Sequence, residues 1–402
     1  MLEGENIICF AKDWDEDPTS CNHVMKALSL GHRVLWLNSV AARRPDFASG
    51  RDLRKIGRKL LSFLRGAKRV AANLWVYTPL VLPFPYSRAA TAANRWILRA
   101  TVWLLQRRLG MRDFQLWTFL PTTADYVGTM GESVAVYYCT DEWSGFAHLD
   151  GEPVAAREQA LCAKVDVVFT TSLPLRERKA AYNDETHLAS HGVDHAHFAT
   201  ALDPATPMAS ELRDLPRPIV GFFGLIESWI DIELLADLAE SRPDWSIVLI
   251  GRAVTDVSRL RQYPNVFLLG RRPYGELPGY AKAFDVAVCP FVQNELTRCI
   301  NPIKLREYLS AGLPVVATAI PEAAAFAGSC HLVSGPSAFL AACEDALRDD
   351  GSERRRKRSE AMRDETWERK AEASLQIALR VKAAKRRATP AGVPAGAVRV
   401  EA

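Results

Sequence analysis

Short apolar runs alternate with longer amphipathic stretches along the whole chain. Residues 6–10, 33–37, 74–77, 114–118, 134–138 and 165–170 are apolar and read as strands. Continuous apolar runs of that length suit a parallel sheet covered on both faces. Helical periodicity fills the gaps at about 20–30, 87–109 and 152–163. Alternation of strand and helix predicts a doubly wound α/β domain. Residues 199–218 hold four prolines and little periodicity, and read as a linker between domains. The pattern then restarts. Strands are expected at 219–223, 246–250, 266–269, 286–289 and 314–317, with a helix at 231–240. A charged helix is expected over 353–387, and the Ala/Pro/Gly/Val-rich tail 388–402 reads as disordered.

One stretch is denser in information than the rest: residues 290–322, PFVQNELTRCINPIKLREYLSAGLPVVATAIPE. It reads as a strand end, a polar loop, a helix opened at Asn301 and Pro302, a stop at Gly312 and Pro314, and a second strand. Proline suits the first helical turn because its missing N–H would be unpaired there. A helix that opens beside a strand end is a ready anion site. Lys304 lies in its first turn and Glu307 about one turn on. Such a set suits a phosphorylated sugar: amides and an ammonium for phosphate, a carboxylate for hydroxyls.

These residues carry a resemblance. The stretch resembles the nucleotide-sugar signature of the glycogen-synthase-like (family 4, group 1) glycosyltransferases. More closely it is similar to a bacterial surface-polysaccharide branch that includes teichuronic-acid type enzymes. The resemblance implies the GT-B architecture, with two facing Rossmann-like domains and a C-terminal helix crossing back to the first. Residues 1–200 would be the acceptor domain, 215–365 the nucleotide-sugar domain and 366–388 the crossing helix. Glu307 would bind the donor ribose. A second glutamate usually stands eight residues earlier, where this chain has Cys299.

Other residues join on the same footing. Gly221 and Gly224, at the first strand end of the second domain, would admit phosphate close to the backbone or serve packing. No cation follows that turn at 225–229, so the pyrophosphate charge falls to Lys304, Arg252 or Arg298. Asn294 and Thr297 match the branch pattern FxxNxLT, as turn formers or as donor-sugar contacts. In the first domain, 136–146 resembles the branch signature of a strand followed by acidic and aromatic residues. Asp141 there would meet the acceptor hydroxyl or cap the next helix. The loop SHGVD places His191 where the class usually has Asn, as a cleft or a structural residue. The resemblance implies a hexosyltransferase-like, retaining enzyme with a nucleoside diphosphate sugar as substrate, no cofactor and no metal. Asp13 and Asp15 in KDWDED mimic a metal-binding DxD, but transferases of this plan place charge on side chains and helix ends.

Composition sets the outer limits. The 402 residues are 48% hydrophobic and 24% charged, which describes a globular protein of two or three domains. The start, MLEGENIICF, is unlike a signal peptide, and no apolar run is long enough to span a membrane. Eight cysteines show no CxxC and read as buried thiols. Net charge is +4, yet residues 43–112 carry sixteen Lys or Arg against two acids, a net +14 that leaves −10 elsewhere. Leu53, Ile56, Leu60, Phe63 and Leu64 line one helical face inside that basic insert, and Trp96 and Trp103 follow. Cationic, amphipathic and aromatic together suit either an anionic membrane surface or a solvated hairpin. No nucleic-acid motif accompanies the charge. The expectation is a cytoplasmic enzyme, peripheral on the inner face of the cell membrane, acting on a glycan or lipid-linked acceptor. A nucleotide-sugar epimerase on the same scaffold and a non-catalytic scaffold relative are the alternatives.

Overall fold

The structure is a computed structural model that describes residues 4–40, 50–84, 87–146, 151–348 and 350–388, without the side chains of 51–53, 55 and 56. The chain divides into two compact units, one of Met1–Ala189 with Lys370–Ala402, the other of Ser190–Arg369. The predicted disordered tail lies outside the described residues, except for its first residue, Ala388.

In chain order unit 1 contains β1 (Asn6–Phe10), α1 (Ser20–Leu28), β2 (Arg33–Leu37), α2 (Gly50–Arg65), β3 (Lys68–Ala71), β4 (Leu74–Tyr77) and α3 (Arg88–Arg108). It continues with β5 (Gln115–Thr118), β6 (Val134–Cys139), α4 (Gly151–Lys164), β7 (Val167–Thr170), α5 (Leu173–Ala180) and β8 (Thr186–Leu188). Its sheet runs β3-β4-β2-β1-β5-β6-β7-β8, parallel except for β3, which lies antiparallel to β4. Trp36, Trp117, Tyr137, Tyr138 and Phe169 fill the core beside it. The Lys382 ammonium, on the terminal helix, is buried and bonds Glu5 Oε2 at 2.6 Å, and Lys385 meets Asp166 at 2.8 Å.

Unit 2 opens with α6 (His195–Ala199), then β9 (Ile219–Phe223), α7 (Ile232–Ser241), β10 (Ser246–Ile250), β11 (Val266–Gly270), α8 (Leu277–Ala283) and β12 (Val286–Cys289). There follow α9 (Glu295–Arg298), α10 (Ile303–Ser310), β13 (Val315–Thr318), β14 (His331–Val333), α11 (Pro336–Arg348), α12 (Ser352–Ala361) and the start of α13 (Trp367–Ala388). Its six strands are all parallel, in the order β11-β10-β9-β12-β13-β14. Each residue of β9, β10, β12 and β13 is buried, as continuous apolar runs require.

Some expectations change. The helix expected over 353–387 is two, α12 and α13, interrupted at 362–366. Residues 199–218, read as a linker, lie inside unit 2, where Leu212 is fully buried. The short strands β3, β8 and β14 were not legible, since each has three or four residues and none of those residues is fully buried. All eight cysteines are buried free thiols.

Candidate functional site

In unit 2 the chain leaves β9 toward β10 on one side, while β12 pairs on the other. This divergence opens the carboxyl ends of the strands, where open α/β sheets take their ligands. Gly224 follows β9 with φ +154°, a conformation L side chains rarely adopt. A Cβ on it would lie 3.0 Å from Phe222 Cζ and 3.2 Å from Lys304 Cε. Gly251, at φ +149°, follows β10, and a Cβ there would come 1.7 Å from the Gly224 carbonyl oxygen. The two glycines let the strand ends pack backbone to backbone, Gly224 N donating to Ile250 O at 2.8 Å and Gly251 N to Gly270 O at 2.9 Å.

Helix α10 stands over that backbone. Pro302 is its N-cap rather than a residue of the first turn, and no side chain caps the helix. The Lys304 ammonium, 5.2 Å from the centre of the Phe223 ring, donates to Glu307 Oε2 at 2.6 Å. The Glu307 side chain is only 6% exposed, against 29% for Lys304. On the next residue the Tyr308 hydroxyl accepts from Phe223 N at 2.8 Å, which ties α10 to the end of β9. Rings continue the wall: Phe198 stacks on Phe223 at 5.8 Å, and Tyr274 stacks on His197 at 4.6 Å. Burial, and then the Glu307 and Asp194 carboxylates, push the Tyr274 phenol up. A cation and a carboxylate therefore share one spot with the first turn of α10, which no side chain caps, as a polar, phosphorylated ligand needs.

A buried polar network fixes the helix. Arg306, 4% exposed, donates to Asn301 Oδ1 at 2.7 Å, and Asn301 donates to Glu322 Oε2 at 2.7 Å. Arg306 also meets Glu365 at 3.5 Å, and burial lowers its pKa. Sequence reasoning did not single out Arg306 or Tyr274. Arg306 adjoins Glu307 on α10, but Glu365 is distant in sequence, so no local spacing announces the pair.

The other expected residues divide. Gly221 is a packing residue, because a Cβ on it would lie 2.2 Å from the Phe284 ring. Thr297 is fully buried, and its amide and hydroxyl hydrogen-bond Asn294 in a capping box, so this pair shapes the loop. Arg298 is exposed and pairs with Glu295 at 3.2 Å. Arg252 is exposed one residue past Gly251, its carbonyl accepting from Ile226 N at 3.0 Å. Cys299 is 1% exposed, so its side chain belongs to the core. His191 is buried against Trp367, ring centres 5.7 Å apart, which gives it packing work. Asp13 accepts from the Ser39 hydroxyl at 2.7 Å and pairs with Lys59 at 3.2 Å.

Asp141 belongs to unit 1, two residues past β6. It is half-buried, burial pushes its carboxyl up, and a Thr140 hydrogen bond acts against that. It does not cap the following turn, whose N-cap is Glu142. The loop is held from below. Lys179 Nζ reaches Glu158 at 2.7 Å and Glu142 at 3.5 Å, and Tyr137 donates to Glu158 at 2.5 Å.

Residues 217–349 match the family described as glycosyl transferases group 1. Unit 2 carries a glycosyl transferase group 1 domain. The chain is 29% identical over 238 residues to TuaH of Bacillus subtilis (strain 168), provisionally named a teichuronic acid biosynthesis glycosyltransferase. That match covers 54% of this chain and 59% of the relative's length. Among solved structures, sucrose-phosphate synthase from Thermosynechococcus elongatus matches with a TM-score of 0.66 at 16% identity, over 94% of this chain and 100% of that one. Anabaena Alr3699/HepE, in complex with UDP and glucose, matches with a TM-score of 0.64 at 12% identity, over 93% and 99% of the two chains. These likenesses establish the fold: two parallel-sheet domains of the GT-B type.

Proposed function

We propose that the protein is a glycosyltransferase that moves a sugar from a nucleoside diphosphate sugar to a glycan or lipid-linked acceptor in bacterial surface-polysaccharide synthesis. The observation that carries this is the Lys304–Glu307 pair in the uncapped first turns of α10, beside Gly224 at the end of β9. Lys304 and the first-turn amides of α10 would take the diphosphate, and Glu307 the ribose hydroxyls. The group 1 domain supports the reading, as do the relative named for teichuronic acid and the UDP held by the Anabaena protein. In unit 1 we assign the acceptor hydroxyl to Asp141, which stands two residues past β6 and whose carboxyl burial pushes up. The basic insert, 43–112, would place the enzyme on an anionic membrane, at its cytoplasmic face.

Thermal stabilisation by UDP, GDP, ADP and CMP tests the donor site, repeated with Glu307→Ala. A shift with one nucleotide, lost in the variant, is expected from preferential binding to the folded state. An equal shift in wild type and variant would move the site away from α10. No shift with any nucleotide would favour a non-catalytic relative, the role for which Cys299 in place of the usual glutamate speaks.

A further inference from the structure

We infer that the outer face of α3 is a docking surface that lies flat on an anionic lipid interface, a conclusion that deepens the reading of the basic insert given above. The helix is apolar on both sides. Ala90, Asn94, Leu98, Val102 and Leu105 are buried against unit 1. On the far side Trp96 is 70% exposed, Leu104 59% and Trp103 50%. A helix that borders water turns a polar face outward. This one turns out two tryptophans a full two turns apart.

The cations are arranged around those rings. The Arg99 guanidinium lies 5.2 Å from the Trp96 ring centre, and that of Arg107 4.1 Å from Trp103. Arg88, Arg95 and Arg108 flank the same helix, and its sequence contains no acid. An indole at the acyl boundary with a guanidinium at headgroup level is how amphipathic helices seat themselves in an interface. Helix α2 repeats the pattern with exposed Leu60, Leu61 and Leu64 beside exposed Arg54, Arg58 and Arg65. Its opposite side is fastened. Lys59 Nζ donates to Ser39 O at 2.8 Å, and the Ser62 and Thr78 hydroxyls bond at 2.7 Å. The exposed leucines therefore belong to a seated helix.

Charge decides the occupant. Two copies joined through α3 would set arginine against arginine with no acid on either helix to pair them. Anionic headgroups above acyl chains satisfy both the guanidinium groups and the indoles. Among the described residues no helix is long and apolar enough to cross a membrane, so the contact is with the surface.

The test is flotation of the full chain with phosphatidylcholine vesicles, with and without phosphatidylglycerol, together with tryptophan emission. Wild type should float only with the anionic vesicles, and its emission should shift to the blue. Trp96→Ala/Trp103→Ala should lower the bound fraction at least tenfold. Arg99→Gln/Arg107→Gln should remove the preference for anionic lipid. These side chains are on the surface, so unchanged melting curves and an unchanged UDP shift certify the variants and keep this result separate from the donor reading. Absence from both vesicle types, or flotation of the tryptophan variant at the wild-type level, would overturn the inference. So would a dimer that the tryptophan variant dissociates, with no vesicle binding.

Discussion

Gly224→Ala adds one methyl group at the centre of the candidate donor site, and the structure fixes what that methyl meets. Two costs arise. The backbone sits at φ +154°, where a non-glycine residue costs about 1–3 kcal/mol. The new Cβ would also stand 3.0 Å from Phe222 Cζ and 3.2 Å from Lys304 Cε, so the lysine must retreat by a few tenths of an ångström. That retreat loosens a 2.6 Å bond to Glu307 that is worth about 1 kcal/mol or less, because Lys304 is partly exposed. The sum is about 1–4 kcal/mol, or about 2–16 °C in the melting of a domain of this size. Nucleotide affinity should fall about tenfold, equivalent to about 1.4 kcal/mol, because the ammonium is displaced. Two controls make the reading specific. Gly221→Ala forces a methyl to within 2.2 Å of the Phe284 ring and should cost about 1–3 kcal/mol while leaving the affinity of the folded protein unchanged. Gly328→Ala meets nothing within 4 Å and should change stability by less than about 1 kcal/mol. Calorimetric melts and UDP titrations of the three variants provide the assay. A Gly224→Ala protein that melts within a degree or so of wild type and binds UDP equally well would refute the reasoning.

Two more outcomes concern unit 1. Lys179→Met strands the Glu158 carboxylate, which is 2% exposed, and should cost about 3–5 kcal/mol in urea unfolding; adding Glu158→Gln should recover part of that loss, and no recovery would mean the pair is not the source. Asp141 has a carboxyl raised by burial, so the folded state holds its proton more tightly than the unfolded chain. Stability from this group is present below the unfolded value of about 3.9 and is lost as pH rises through the folded value. Asp141→Asn should therefore flatten the dependence of Tm on pH in that range, and an unchanged slope would remove the group from the account.

What was legible follows from where the information lies. Central strands such as Asn6–Phe10 and Ile219–Phe223 are read with their observed bounds because a parallel strand writes its burial into a continuous apolar run. The same rule hides β3, Lys68–Ala71, an edge strand whose residues are basic or small and mostly exposed. Lys304 and Glu307 are readable as a pair because three residues on a helix make neighbours. Arg306 is not, since a buried arginine is explained only by partners such as Glu365 that the fold brings in. Gly221 and Gly224 look alike in sequence, and only the neighbours of a Cβ, the Phe284 ring for one and Lys304 for the other, tell packing from site. Thr297 likewise matched a motif that its own capping box explains.

The terminal helix has a consequence for how the protein is made. Unit 2 is contiguous, from Ser190 to Arg369, whereas unit 1 is completed by Lys370 and the residues after it. The Lys382–Glu5 bond joins residues 377 positions apart. During synthesis, then, the first half of the chain leaves the ribosome without its last helix, and unit 2 can finish before unit 1 does. Until α13 emerges, Glu5, Asp113 and Asp166 lack the lysines that meet them, and the nascent first unit is the part of the chain that chaperones would be called on to hold.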